Sequence, residues 1–263
     1  MDVMLDLINV QKALAELGIN IRPQAGKNSY FQKYLNNLFS SQLMTNFPFG
    51  DVERELQRMW VLINQLRDLR TGRPDIFKRC INNLNKHSSE QNFWGYRFEL
   101  HIAHQLLRKK IDFKYRERPD FSLQHKGSDI YVECGSGRIT QSTPSIHLAQ
   151  QKLFGCRGII NRKSTTPYMN FRTALFLDIT NLVANTAVDI EDLKQETARI
   201  INQASCGAIA LVVLGQNKET RKIGYLTVIN YHDSIDGGLR DFLVTHFPKV
   251  EKRIINLSVF IDT

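Results

Sequence analysis

A chain of 263 residues, 42% of them hydrophobic, is long enough for one large domain or for a main domain with a smaller companion. It has no run of about 18 apolar residues, and its acidic, amphipathic start differs from a secretory signal, so we expect a cytoplasmic protein rather than a membrane-spanning or secreted one. The formal net charge of +9 favours a polyanionic partner, such as nucleic acid or an acidic membrane surface.

The first 88 residues are predicted to form helices only. Apolar periodicity and flanking turn residues place these helices at residues 4–17, 30–45, 52–69 and 76–85. The third is the clearest, because Asp51 suits its N-cap and Gly72 follows its end. An all-helical region of this kind is compatible with DNA recognition, with pairing of two subunits in a homodimer, or with docking of another protein.

From residue 89 onward, helices and strands alternate in the predicted structure. Helices are predicted at residues 93–110, 145–163 (interrupted by Gly155 and Gly158), 190–204 and 238–247. Strands are predicted at residues 112–116, 121–123, 129–134, 174–178, 208–214, 223–230 and 254–261. The runs at 174–178 and 208–214 are apolar throughout, which is typical of strands buried on both faces. We therefore predict an α/β fold with a helical region at 1–88 and a second domain at 89–263.

Three carboxylates fall within the first helix and the hairpin of this second domain. Glu99 shares a helix face with small and apolar residues, so it is expected to point inward. Asp120 begins one hairpin strand and Glu133 lies near the end of the next, so the two are expected to meet across the strands. Carboxylates that close repel each other unless a cation neutralises them, and hard oxygen ligands suit Mg²⁺ or Mn²⁺.

These residues resemble the PD-(D/E)xK, or restriction-endonuclease-like, nuclease superfamily. In that superfamily a helix with an active-site Glu precedes a hairpin that carries Pro-Asp and then Asp/Glu-x-Lys. Here Glu99, Pro119-Asp120 and Glu133-Cys134-Gly135 occur in that order. The αβββαβαβ order that starts at the helix 93–110 is also similar to the superfamily core, and the resemblance covers roughly residues 89–215.

The resemblance implies a metal-dependent endonuclease that hydrolyses DNA phosphodiester bonds with Mg²⁺ or Mn²⁺. It implies a metal site formed by Asp120, Glu133, the main-chain carbonyl of Cys134, and Glu99. The superfamily lysine is missing, because Gly135 stands in its place. The alternative is a catalytically inactive nuclease-fold protein that binds nucleic acid or scaffolds partners.

Phosphodiester hydrolysis requires a cation near the attacked phosphate, and Gly135 cannot supply one. The candidate replacements are Lys163, Lys152 and Arg138. We favour Lys163, because its helix is expected to cover the active-site edge of the sheet. Each of these residues is also compatible with an ordinary place on the protein surface.

The carboxylates also have structural interpretations that the sequence leaves open. Asp120 and Glu133 can be interpreted as charged residues at strand ends that bond to the hairpin or to a nearby arginine. Glu99 can be interpreted as one member of a buried structural pair. Asp129 is the substitute ligand if the strand register differs from the prediction. Asp178 is a weaker candidate, since an acid at the end of a strand often caps the segment that follows.

Basic residues flank the carboxylates along the chain. The two flanking clusters are Arg108, Lys109, Lys110, Lys114, Arg116 and Arg118, and then Arg157, Arg162 and Lys163. Their position favours the phosphate backbone of DNA over a membrane surface as the partner. The four cysteines are far apart and form no CxxC pair, so we expect reduced and mostly buried thiols.

Overall fold

The computed structural model describes residues 3–21, 29–39, 49–86, 89–138, 146–186, 188–217, 223–247 and 257–259. The chain divides into two compact units, residues 1–110 and residues 111–263. This division lies after residue 110, whereas the sequence predicts a domain boundary at residue 88. The difference concerns the helix predicted at residues 93–110. The sequence groups that helix with the strands that follow it, whereas in the structure it belongs to the same compact unit as the helices that precede it.

The first unit consists of helices in its described residues. They are α1 (Val3–Glu16), α2 (Tyr30–Phe39), α3 (Phe49–Gly72), α4 (Pro74–Lys86) and α5 (Glu90–Arg108). The predicted helices are confirmed where they are described, and residues 40–45 of the second lie outside the described residues. The apolar stripe of α3 forms a core, with Leu62, Leu66 and Leu69 fully buried.

The second unit contains a mixed sheet and five α-helices in its described residues. The strands are β1 (Phe113–Tyr115), β2 (Phe121–His125), β3 (Ser128–Ser136), β4 (Thr173–Asp178), β5 (Ala208–Asn217), β6 (Ile223–Tyr231) and β7 (Leu257–Val259). The helices are α6 (Ile146–Phe154), α7 (Ile159–Ser164), α8 (Thr180–Thr186), α9 (Ile190–Ile200) and α10 (Gly237–His246). The predicted α/β class is confirmed at this level.

The sheet has the strand order β1-β2-β3-β4-β5-β6, and β7 pairs with β5. The β1-β2-β3 strands form an antiparallel meander, whereas β3, β4 and β5 run parallel to one another. Parallel neighbours need a crossover connection. Helices α6 and α7 connect β3 to β4, and α8 and α9 connect β4 to β5.

The two faces of the sheet pack against different helices. Leu175 and Leu177 of β4 contribute to one core cluster with residues of α6, α7, α8 and α9. Phe176 lies between these leucines and points to the opposite face, where its ring centroid is 5.1 Å from that of Phe247 just after α10. Both faces of β4 are therefore covered, as its apolar sequence predicts.

Two local predictions near the carboxylates are corrected by the structure. Strand β3 continues to Ser136, whereas the sequence predicts that this strand ends at Cys134. The reason is parallel pairing with β4, in which Gly135 lies beside Leu177 and Ser136 beside Asp178. Helix α8 is absent from the predicted elements. Its start is held by Asp178, whose Oδ1 accepts a hydrogen bond from the Thr180 N–H at 3.0 Å, so Asp178 is a cap.

No helix among the described residues is both long enough and apolar enough to cross a membrane.

Candidate active site

The hairpin β2-β3 brings Asp120 and Glu133 to the same place on the sheet. The last register pair is Phe121 with Val132, so continuation by one residue sets Asp120 opposite Glu133. Residues directly opposite each other point to the same face of a sheet. Asp120 is held there because its Oδ2 accepts a hydrogen bond from the Cys134 N–H at 2.7 Å.

Both carboxylates are buried. Glu133 is 2% exposed and Asp120 is 8% exposed. Glu133 lies beside Leu175 in the parallel β3-β4 register, which places it on the face that α6, α7, α8 and α9 cover. A buried carboxylate is costly unless a cation or hydrogen bonds compensate for its lost hydration.

The ammonium group of Lys163 supplies that compensation. Its Nζ donates a short hydrogen bond to Glu133 Oε1 and forms an ion pair with it. Lys163 is four residues after Ile159, so both side chains lie on one face of α7, and Ile159 is buried in the core. The Tyr168 hydroxyl donates to the same Glu133 oxygen at 3.1 Å.

Gly135, where the resemblance leads us to expect a lysine, is closely packed. A Cβ atom at this position would lie 2.9 Å from Leu177 Cδ2 and 3.0 Å from Ile159 Cδ1. Gly135 therefore leaves room for the same helix that carries Lys163. Helix α7 thus both packs against Gly135 through Ile159 and carries the lysine that contacts Glu133.

The charges at this site hold Lys163 in its ammonium form. Burial lowers the pKa of Lys163, but the charge and hydrogen bond of Glu133, with a contribution from Asp120, outweigh that effect and raise the pKa overall. Burial also raises the pKa of Tyr168, and the charge of Glu133 adds to the increase. Near neutral pH both side chains therefore keep their protons and act as hydrogen-bond donors.

The oxygen atoms at the site fit a hard divalent cation. Glu133 Oε2 is buried and has no hydrogen-bond partner among the described residues. In an antiparallel pair the N–H and C=O of one residue point to the same neighbouring strand, so the Cys134 carbonyl is directed toward the strand of Asp120. Carboxylate and carbonyl oxygens are the ligands that suit Mg²⁺ and Mn²⁺.

The described part of the chain contains no group of three or more His, Cys, Asp or Glu side chains arranged to hold a metal. Mg²⁺ is usually bound through one or two protein carboxylates, with waters and substrate phosphates as the other ligands. A pair such as Asp120 and Glu133 therefore suits Mg²⁺ as part of a site that the substrate completes.

The other predicted site residues lie apart from this pair or in the first unit. Lys152 is exposed in the last turn of α6. Of the two candidate lysines, Lys163 is the one that contacts Glu133. Asp129 is exposed and accepts a hydrogen bond from Gln124 at 3.2 Å. Glu99 is half-buried in α5 of the first unit, close enough to Cys80 for its charge to raise that thiol's pKa in addition to the effect of burial. Participation of Glu99 in the metal site stays a prediction.

Tyr168 is a site residue that the sequence analysis missed. It lies in the loop between α7 and β4, where no periodic pattern indicates which side chains point inward. The only available signal was its position five residues after Lys163, which is not specific.

Comparison of the chain with protein-family models, with curated proteins and with solved structures found no match.

Proposed function

We propose that the second unit is a nuclease domain of the PD-(D/E)xK type, a metal-dependent endonuclease that hydrolyses DNA phosphodiester bonds. The observation that carries the proposal is the contact of Lys163 with Glu133 beside Asp120, together with the unbonded Oε2 of Glu133. Two carboxylates and one ammonium group, held by a hairpin and a packed helix, are the side chains that such chemistry requires.

Each side chain has a separate role in this proposal. Glu133, Asp120 and the Cys134 carbonyl would hold Mg²⁺ or Mn²⁺, which would activate water and offset charge at the phosphate. Lys163 would stabilise negative charge on the attacked phosphate, a role supported by the contact of its ammonium group with Glu133. Tyr168 helps to orient Glu133 through its hydroxyl. The exposed Lys114 of β1 and the exposed Arg116 just after this strand are suited to phosphate contacts.

The ion pair also supports the alternative, a nuclease-fold protein that binds nucleic acid or scaffolds partners without cutting. Lys163 compensates the charge of Glu133 without any metal, as it would in a purely structural pair. The two functions differ in their response to divalent cations. Only the enzyme needs Mg²⁺ or Mn²⁺ for a chemical step.

A nicking assay on supercoiled DNA tests the proposal. We expect the wild-type protein to convert supercoiled DNA to open-circular and linear forms with Mg²⁺ or Mn²⁺, and not with EDTA. Lys163→Met should lower the rate by at least about 100-fold, as is typical for loss of one group that stabilises transition-state charge. Lys152→Met is the matched control, because Lys152 is an exposed lysine of the neighbouring helix α6. Absence of cleavage of both supercoiled DNA and single-stranded DNA under all metal conditions would contradict the enzyme and favour the non-cutting alternative.

A further inference from the structure

A cavity of about 390 Å³ lies on the β1-β2-β3 meander, whose strand β3 also carries Glu133. Its polar and aromatic lining includes Asp112, Lys114, Arg116, Gln124, Asp129 and Tyr131. Ligand sites in proteins usually have volumes of about 300 to 1,000 Å³, so the cavity has the size of a small-molecule site. All of its lining residues belong to the second unit.

The strand pleat places this cavity on the same face as the carboxylate pair. Tyr131 is two residues before Glu133 in β3, so the two side chains point the same way and are about 6.6 Å apart along the strand. Ser122 of β2 lies between Tyr131 and Lys114 in the register, which extends the face to the edge strand β1. The cavity therefore lies on the same face of the sheet as the Glu133 side chain.

A backbone contact also joins the cavity to the carboxylate pair. The Arg116 N–H donates a hydrogen bond to the Asp120 carbonyl at 2.8 Å. Arg116 lines the cavity, and Asp120 lies opposite Glu133 in the continued register. Arg116 therefore adjoins both the cavity and the residue that precedes strand β2 at the carboxylate pair.

The chemistry of the lining matches the parts of a nucleotide. Lys114 and Arg116 are cations suited to a phosphate, and the half-buried Tyr131 offers an aromatic ring on which a base can stack. The Gln124 amide, which donates to Asp129 at 3.2 Å, adds donors and acceptors of the kind that read a base edge. A base inside a duplex is already stacked on both faces, so only an unpaired base can stack on Tyr131.

We propose that this cavity binds one unpaired nucleotide of the substrate strand, next to the phosphate held at the carboxylate pair. The inference rests on the proposed nuclease function and narrows its substrate class to nucleic acid with a single-stranded segment, such as a flap, an overhang or a flipped nucleotide.

The test is a binding measurement that is independent of cleavage. Fluorescence polarisation of a short fluorescein-labelled single strand is measured with Ca²⁺ in place of Mg²⁺. Tyr131→Ala should weaken binding by about 5- to 100-fold, the loss expected for one base stacked on an aromatic ring. Tyr131→Phe should bind like the wild type, because stacking needs the ring and not the hydroxyl. Tyr225→Ala, at a half-buried tyrosine of β6 outside the cavity, is the matched control and should also bind like the wild type.

A blunt-ended duplex of two annealed strands provides the contrasting ligand. Its affinity should be unchanged by Tyr131→Ala, since it has no free base for the cavity. Equal single-strand binding by the wild type and Tyr131→Ala, with both proteins folded by melting curves, would overturn the proposal. So would an equal loss of affinity for the blunt-ended duplex.

The two proposals can fail separately. Tyr131-dependent binding of single strands without cleavage in Mg²⁺ or Mn²⁺ would remove the nuclease function and leave the nucleotide cavity. Cleavage of DNA together with single-strand binding that is equal for the wild type and Tyr131→Ala would support the nuclease function and refute the nucleotide cavity.

Discussion

Lys163 donates a hydrogen bond from its Nζ to Oε1 of Glu133, thirty residues earlier in the chain. The side chain of Glu133 is 3% exposed and that of Lys163 is 33% exposed. Water therefore screens the pair only from the side of the lysine. The contact fixes helix α7 to strand β3 by charge as well as by apolar packing. It is also the contact on which the proposed chemistry depends.

Lys163→Met is expected to destabilise the second unit by about 2 kcal/mol, because it leaves a buried carboxylate without its counter-charge. Glu133→Gln combined with Lys163→Met should recover most of that loss, since the buried charge is then removed. Urea unfolding of both single variants and the double variant measures the coupling. Lys152→Met is the control and should change stability by less than about 0.5 kcal/mol. Additive losses in the double variant would contradict a coupled pair.

Asp120→Asn is expected to abolish stabilisation by Mg²⁺ while keeping the fold. The asparagine side-chain oxygen can still accept the Cys134 N–H, but it lacks the charge that attracts the cation. For the wild type, Mg²⁺ at 100 times its Kd should add about 2.7 kcal/mol of stability and raise the melting temperature. Asp129→Asn, at an exposed acid of the same hairpin, should keep the full response. A wild-type melting temperature that changes with neither Mg²⁺ nor Mn²⁺ would argue against a metal site.

Gly135→Ala is expected to cost about 1 to 3 kcal/mol, because the added methyl group meets Leu177 and Ile159 in a filled core. Gly224→Ala in β6 is the matched control, since a Cβ there has no atom within 4 Å. Gly135→Lys should not rescue cleavage in Lys163→Met, because the strand position has no room for the side chain. Chemical denaturation and the nicking assay measure the two effects. Restored cleavage in that double variant would show that the site tolerates the strand lysine.

Two buried thiols should make the protein less stable at alkaline pH. Burial raises the pKa of Cys80 to about 12, with an added effect of Glu99, and burial likewise raises the pKa of Cys206 to about 12. In the unfolded chain a thiol has a pKa of about 8.5, so the unfolded state loses these protons first. The stability from each thiol is therefore intact below about pH 8.5 and falls by about 1.4 kcal/mol per pH unit between pH 8.5 and 12.

Urea unfolding at pH 7.5 and pH 10 measures this loss, which should be about 2 kcal/mol for each thiol. Cys80→Ala and Cys206→Ala should each reduce the pH dependence of the unit in which the thiol lies. Cys156→Ala, at the exposed cysteine, should leave it unchanged. An equal pH dependence in all three variants would refute the assignment to buried thiols.

The sequence predicted much of this structure where the signal was local. Apolar periodicity identified the helices of the first unit, and the apolar runs at 174–178 and 208–214 identified β4 and β5. The prediction of free and mostly buried cysteines is confirmed for Cys80, Cys134 and Cys206, which are buried, while Cys156 is exposed. The choice of Lys163 over Lys152 also agrees with the contact seen at Glu133.

What the sequence missed depends on residues distant in the chain. Gly135 and Gly137 suggest a turn when only their neighbours are considered, but Gly135 belongs to a strand because it pairs beside Leu177, 42 positions further on. Tyr168 reaches Glu133 from a loop whose path is set by the packing of α7 and β4. Local pattern carries no information on either relationship. The superfamily, the metal and the DNA partner stay predictions.

The packing of Gly135 has a consequence for how the sequence can vary. A lysine at position 135 would require a smaller residue at position 159 or 177, and it would then compete with Lys163 for the same carboxylate. Moving the lysine from position 163 to position 135 therefore requires more than one substitution. In any chain that shares this arrangement, the residues at 135, 159 and 163 should change together, so that a bulkier residue on the strand accompanies the loss of the lysine on the helix.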